Sequence, residues 1–287
     1  MSKVMLGKEV FTAMREEQKK QVEALRAKGV VPKLAILRVG ENPDDCSYER
    51  GAMKRMESTG IEVKNVVLPG DVSPEEFDKA FNDINEDDSI HGILMLRPLP
   101  KHINEEAYVN RINPRKDMDG MCPDNMAKIF AGDKSGMAPC TAEAVIRMLD
   151  HYKIDLTGKN VAVIGRSMVV GRPLAMLLVG RNATVTICHT RTKNLKDILK
   201  KSDIVCCAAG AAKMVSGDML PEGIVAVDVG INVDENGKLC GDIDYESAEK
   251  KTAYISPVPR GVGSVTTSVL AGHVIKSAEY LLSESNH

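Results

Sequence analysis

The stretch GKNVAVIGRSMVVGRPLAMLL, Gly158 to Leu178, decides the architecture. Asn160 to Ile164 (NVAVI) is a short apolar run of strand length, and it ends in Gly165-Arg166-Ser167, followed by Gly171-Arg172-Pro173. Glycine at a strand end lets backbone amides approach a pyrophosphate. Pro173 suits the first turn of a helix whose N-terminus faces that charge. The segment therefore reads as the phosphate turn of a dinucleotide-binding domain, although its spacing departs from GxGxxG and makes the turn a weak signal by itself. Support comes from further strands at Ala183 to Cys188 (ATVTIC), Asp203 to Ala208 (DIVCCA) and Ile224 to Val229 (IVAVDV), with helical segments between the earlier ones. Together they predict a Rossmann-like, mostly parallel sheet.

Working outward, the preceding half of the chain alternates in the same way, so the fold class is α/β with two domains. Val10 to Lys28 reads as an amphipathic helix and Lys33 to Val39 (KLAILRV) as a buried strand. A turn at Gly40, Asn42 and Pro43 leads into a helix from about Ser47 to Ser58, which Gly60 closes as a C-cap. Strand, helix and strand follow at Glu62 to Leu68, Pro74 to Ile84 and Gly92 to Leu96, and the acidic run Asn85 to Ser89 reads as a solvated loop.

Composition narrows the partners. The 287 residues carry 38 Lys and Arg against 40 Asp and Glu, a net charge of -2, which favours neither nucleic acid nor an anionic membrane and suits a small polar ligand. No apolar run approaches the roughly 18 residues of a transmembrane helix, and the N-terminus lacks the regions of a signal peptide, so a cytoplasmic protein is expected. Cys46, Cys122, Cys140, Cys188, Cys206, Cys207 and Cys240 show no CxxC spacing, and neither a disulfide framework nor a metal site is expected.

The end of the second strand speaks to the cofactor. NAD enzymes of this architecture usually place an acid about 20 residues beyond the glycine turn, where it holds the ribose hydroxyls. Here that region reads His189-Thr190-Arg191-Thr192, with no acid. Arg166 lies in the turn itself, and a guanidinium beside a hydroxyl is the chemistry a 2′-phosphate requires, so NADP is expected over NAD. Outside this loop, Arg166 and Arg191 would read as ordinary solvated charges.

These residues carry a resemblance. Gly158 to Leu178, followed by ATVTICHTRT, closely resembles the cofactor half of the methylenetetrahydrofolate dehydrogenase/cyclohydrolase family. Pro114 and Lys116 with Asp117-Met118-Asp119-Gly120 resemble its PxKDxDG motif, and Pro98-Leu99-Pro100 its PLP turn. Pro257-Val258-Pro259 with Gly261-Val262-Gly263 resembles its PVPGGVG loop, and Tyr48 its tyrosine-bearing helix.

The resemblance implies two α/β domains around a cleft: a folate-binding catalytic domain at 1–140, joined by a C-terminal helix at 268–287, and an NADP-binding domain at 141–267. It also implies a homodimer acting on tetrahydrofolate derivatives. Tyr48 and Asp119 become the catalytic candidates. Leu96, Pro98, Leu99, Pro257, Gly261 and Gly263 join them around the folate, while Gly165, Arg166, Ser167, Gly171, Thr190, Arg191 and Ile231 fall to the cofactor. Chemically, Asp119 can accept two hydrogen bonds from an amino-pyrimidine edge, and Tyr48 can offer an aromatic face and a hydroxyl.

The departures bear on what is catalysed. Where the family has Tyr-x-x-x-Lys, this chain has Tyr48-Glu49-Arg50-Gly51-Ala52; where the family has Gln-Leu-Pro-Leu-Pro, it has Leu96-Arg97-Pro98-Leu99-Pro100. The lysine and glutamine partner each other in relatives that hydrolyse the methenyl intermediate, so the resemblance is to a monofunctional dehydrogenase variant. Lys54 is six residues from Tyr48, about 120° around the helix, and is a poor replacement for Ala52. Arg260 stands at a glycine of PVPGGVG, Ser264 and Val265 at the following Pro-Met, and Ala142 and Ala144 at Pro and Gly positions. A bifunctional enzyme, a different dehydrogenase on the same plan and a non-catalytic NADP-binding regulator remain the alternatives.

Overall fold

The computed structural model describes residues 2–284; the predicted C-terminal helix at 268–287 includes Ser285, Asn286 and His287, which lie outside the described residues. In chain order the elements begin with β1 (Lys3–Val4), α1 (Gly7–Ala27), β2 (Lys33–Val39), α2 (Pro43–Thr59), β3 (Glu62–Leu68), α3 (Pro74–Asn85) and β4 (Gly92–Met95). They continue with α4 (Glu105–Val109), α5 (Pro123–Ala131), α6 (Cys140–His151), β5 (Asn160–Ile164), α7 (Gly171–Val179), β6 (Thr184–Cys188), α8 (Leu195–Leu199) and β7 (Ile204–Cys207). The last are β8 (Ile224–Asp228), β9 (Asn232–Val233), β10 (Leu239–Cys240), α9 (Tyr245–Ala248), β11 (Thr252–Ile255) and α10 (Thr266–Glu284).

The chain divides into two compact units. One holds residues 13–128, 133–140 and 267–287 around a three-stranded sheet of order β3-β2-β4; the other holds 1–12, 129–132 and 141–266 around a six-stranded sheet of order β1-β11-β8-β7-β5-β6. All strand pairs within these two sheets are parallel.

In the three-stranded unit, alternation sorts the strand residues by face. Ala35 and Leu37 of β2 and Ile93 and Met95 of β4 join Phe77, Phe81 and Ile84 of α3 in one core, with Tyr108 set edge-on to Phe77 and Phe81. The ends of α3 are specified locally: Ser73 and Glu76 form a reciprocal capping box and Pro74 opens the helix. Asn42 caps α2 through the Asp44 amide, and Gly60 ends it at φ 82°, a left-handed turn that glycine adopts without strain.

In the six-stranded unit, β5 lies between β6 on one side and β7 on the other. The chain reverses direction across the sheet at β5, and in open α/β sheets ligands bind outside the carboxyl ends of the strands at such a point. Against the expected span of 1–140, residues 1–12 belong to this unit. Lys3 and Val4 pair with Tyr254 and Ile255, and the amides of Met5, Leu6 and Gly7 donate to the Ile255 carbonyl, the Tyr152 hydroxyl and the Arg260 carbonyl. Two paired residues are too few for a sequence period, which is why β1 carries no sequence signal.

All seven cysteines are free; Cys46 and Cys240 are partly exposed and the others buried. Burial pushes the Cys122 and Cys206 thiols up to about 12 and raises Cys188 and Cys207 as well.

Candidate functional site

In the three-stranded unit, α2 buries Glu49, Ala52, Met56 and Thr59, spaced three and four residues apart along one face. Ala52 has no exposed surface, Tyr48 is half-buried and Lys54 is exposed. The buried Glu49 carboxylate is held by an ion pair to Arg38 of β2, whose guanidinium also donates to the Gly40 carbonyl, and by the Asn65 side-chain amide of β3 at 3.0 Å. The hydrogen bond from Glu49 raises the Arg38 pKa above its ordinary value. Nothing in the sequence pattern marks it, because Arg and Glu are solvated by default.

Beyond β4 the chain turns through Leu96, which is 8% exposed, and a cis peptide between Arg97 and Pro98. The Leu96 amide donates to the Leu37 carbonyl (2.9 Å). Glu105 ties the turn by accepting from the Leu99 amide (2.9 Å) and the Arg97 guanidinium (3.1 Å). Pro98 is exposed and Leu99 buried.

The two acids of Asp117-Met118-Asp119-Gly120 divide their work. Asp117 is fully buried and accepts from the Cys122 amide (2.8 Å) and the Asn125 side chain (3.0 Å), which makes it a structural brace. Asp119 is half-buried, with the Cys140 amide at 3.4 Å from Oδ1, and burial pushes its carboxyl up from the usual range. Gly120 stands at φ 60°, and a Cβ there would overlap the Met137 carbonyl.

In the six-stranded unit, Gly165 leaves β5 at φ 125° and a Cβ would overlap the Ala208 carbonyl; a Cβ at Gly171 would overlap the Gly165 carbonyl. The turn thus closes backbone on backbone. Ser167 fixes it by accepting from the Val170 amide through Oγ and from the Arg172 amide through its carbonyl, both at 3.1 Å. Arg166 and Ser167 are exposed past the end of β5, and Thr190 and Arg191 past the end of the neighbouring β6. The His189 amide donates to the Thr192 hydroxyl (2.8 Å). Ile231 is 68% exposed after β8.

Pro257, Gly261 and Gly263 also belong to this unit, before α10. Pro257 and Gly261 are buried and Gly263 is exposed. Arg260 adopts φ 80°, a left-handed backbone that favours glycine, which accounts for a glycine at this position of the PVPGGVG motif. Its side chain is exposed. Among the described residues no group of three or more His, Cys, Asp or Glu is placed to hold a metal ion, and no helix is long and apolar enough to cross a membrane.

Two family models match this chain: the catalytic domain of tetrahydrofolate dehydrogenase/cyclohydrolase over residues 5–119 and the NAD(P)-binding domain of the same enzymes over residues 139–282. A Clostridium botulinum protein named Bifunctional protein FolD is 49% identical over 279 residues, 97% of this chain and 99% of that protein. Among solved structures, the Campylobacter jejuni bifunctional methylenetetrahydrofolate dehydrogenase/cyclohydrolase is similar with a TM-score of 0.94 and 39% identity, covering 98% of this chain and 100% of that one. The Trypanosoma brucei methylenetetrahydrofolate dehydrogenase-cyclohydrolase complexed with NADP and an inhibitor has a TM-score of 0.91 and 34% identity, covering 98% of each chain.

Proposed function

This chain belongs to the tetrahydrofolate dehydrogenase/cyclohydrolase family of enzymes, and on that premise we propose that it oxidises 5,10-methylenetetrahydrofolate to 5,10-methenyltetrahydrofolate with NADP, and that its cyclohydrolase activity is weak or absent. The observation that carries the second part is the pair of apolar residues, Ala52 without exposed surface and Leu96 at 8%, at the family's lysine and glutamine positions. Hydrolysis of the methenyl bridge needs an activated water and a proton moved at nitrogen, and a positioned acid/base is worth about 10²–10⁴ in rate. An apolar pair supplies neither.

The glycine turn fits a dinucleotide. Gly165 and Gly171 leave no room for side chains, so backbone amides can meet a pyrophosphate, and two guanidiniums follow adjacent strands with no carboxylate in residues 189–192 to repel a 2′-phosphate. When bound, NADP supplies the hydride acceptor. Oxidation of the methylene carbon releases a cation stabilised by the flanking nitrogens, so it asks for alignment more than for a proton acceptor. Asp119 would anchor the pterin and Tyr48 would place its ring and hydroxyl at the reacting carbon. Family membership also supports a homodimer and a cytoplasmic location.

The test is an assay with methylenetetrahydrofolate and NADP, followed by methenyltetrahydrofolate alone at a pH where its spontaneous hydrolysis is slow. Reduced NADP with persistent methenyl absorbance is the expected result. Enzyme-dependent decay of that absorbance would return the chain to the bifunctional class.

A further inference from the structure

Two buried aspartates of the six-stranded unit, Asp228 and Asp242, brace the loops beside the glycine turn. Asp228 closes β8 and Asp242 follows β10; both are almost wholly buried. The Asp242 carboxylate gathers four N–H groups, three from the loop after β7 and one from Asn232 at the start of β9. Oδ2 accepts from the amides of Ala209 (2.6 Å) and Gly210 (3.2 Å), and Oδ1 from the Ala211 amide (2.8 Å) and the Asn232 side-chain amide (2.9 Å). The loop after β7 and the connection after β8, which includes β9, both leave the carboxyl edge of the sheet.

Asp228 in turn holds the segment that carries Asp242. Its Oδ1 accepts from the Gly230 and Asp242 amides (3.1 and 3.0 Å) and its Oδ2 from the Ile243 amide (2.9 Å). The fit leaves no slack: a Cβ at Gly230 would overlap the Asp242 carboxylate, and one at Gly241 would overlap that of Asp228. The linkage reaches the phosphate turn, because the Ala208 amide donates to the Ile164 carbonyl (2.7 Å) and Gly165 packs without a side chain on the Ala208 carbonyl. A carboxylate suits this position, since it accepts from several directions and brings no donor to clash with the amides.

We propose that Asp242 is a positioning residue of the nucleotide site, fixing the loops after β7 and β8 beside the Gly165 turn in the arrangement that receives the dinucleotide. This rests on the nucleotide reading given above. With the carboxylate in place the loops are ordered before binding; without it, the cost of ordering them falls on binding. Affinity for the dinucleotide then drops, while chemistry in the bound state is little changed.

Asp242→Asn is nearly isosteric but turns one acceptor into a donor facing N–H groups. The full-length parent and variant are titrated with NADPH, followed by nicotinamide fluorescence, which no tryptophan overlays because the chain has none. The Kd of the variant is expected to rise about tenfold or more, with kcat at saturating NADP within about threefold and the KM for methylenetetrahydrofolate within about twofold. Asn232→Ala removes one of the four donors, leaves the amides in place and raises Kd about threefold, which keeps the test open where Asp242→Asn does not fold. A parental Kd in either folded variant, or a melting temperature that falls with no change in Kd, overturns the inference. A parent that binds no NADPH overturns the nucleotide reading, and the inference with it.

Discussion

Around Gly165 the backbone shapes the proposed nucleotide site. Two glycines are packed on peptide groups, three consecutive amides rest on one carboxylate, and no side chain of the turn is buried for its own sake. Along α2, on the proposed folate side, side chains set the surface, with Tyr48 half-buried, Glu49 ion-paired to Arg38 and Ala52 sealed from solvent. A backbone-built site tolerates no added atom, and here it retains the family's residues. A side-chain-built site can lose a functional group and keep its helix, and here it departs at two positions. On the reading proposed for Ala52 and Leu96, one reaction of a two-reaction family would be removed without cost to the fold.

The largest change is expected from putting a lysine and a glutamine back at these two positions. Ala52→Lys with Leu96→Gln is expected to raise methenyltetrahydrofolate hydrolysis by about 10²–10⁴, read from loss of methenyl absorbance, while Ala52→Lys alone slows single-turnover hydride transfer through repulsion of the developing cation. An equal or faster transfer rate would remove the second expectation. On the backbone-built side, Gly171→Ala has nowhere to put its methyl and is expected to weaken NADPH binding by about 10–10²-fold, measured by titration. A binding constant near the parent's would break the contrast between the two regions.

A third effect belongs to the carboxylates behind the turn. Burial pushes Asp228 up to about 6 from 3.8, against the pull of its amide hydrogen bonds, with Asp242 adding repulsion. The folded state then holds a proton that the unfolded chain gives up, so this contribution to stability is full below about pH 4 and is lost as pH rises through 6, by at most about 3 kcal/mol. Asp228→Asn is expected to remove that slope, as read by melting temperature against pH. Smallest is Arg260→Gly. Relief of the left-handed backbone, partly offset by the freedom of glycine in the unfolded chain, is expected to add about 0.5–1 kcal/mol. A rise in KM for a polyglutamylated folate in the same variant would place the Arg260 guanidinium on the substrate's carboxylates.

Strands with a clear period or a continuous apolar run were legible: Lys33–Val39, Glu62–Leu68 and Asn160–Ile164 fall where the sequence puts them, and Gly60 ends its helix as its residue type dictates. The helix expected from Ser47 begins at Pro43, since Asn42 and Pro43 are a cap and a first turn as readily as a free loop. The pairs Arg38–Glu49 and Asp228–Asp242 were not legible. Their partners lie 11 and 14 positions apart in sequence, and a charged residue becomes a brace only when the fold buries it against donors. The split between Asp117 and Asp119 has the same origin, because one motif supplies two carboxylates and only packing decides which of them is consumed by its neighbours.

The distribution of thiols has a practical consequence. Cys46 lies in the three-stranded unit and Cys240 in the six-stranded one, and these two are the partly exposed cysteines, while the others are enclosed and four of those have raised pKa values that starve them of thiolate. Nature has thus left one maleimide handle on each unit of the unmutated chain. A spin-label pair there turns the protein into its own ruler, reporting the spacing of the units in solution as nucleotide and folate are added.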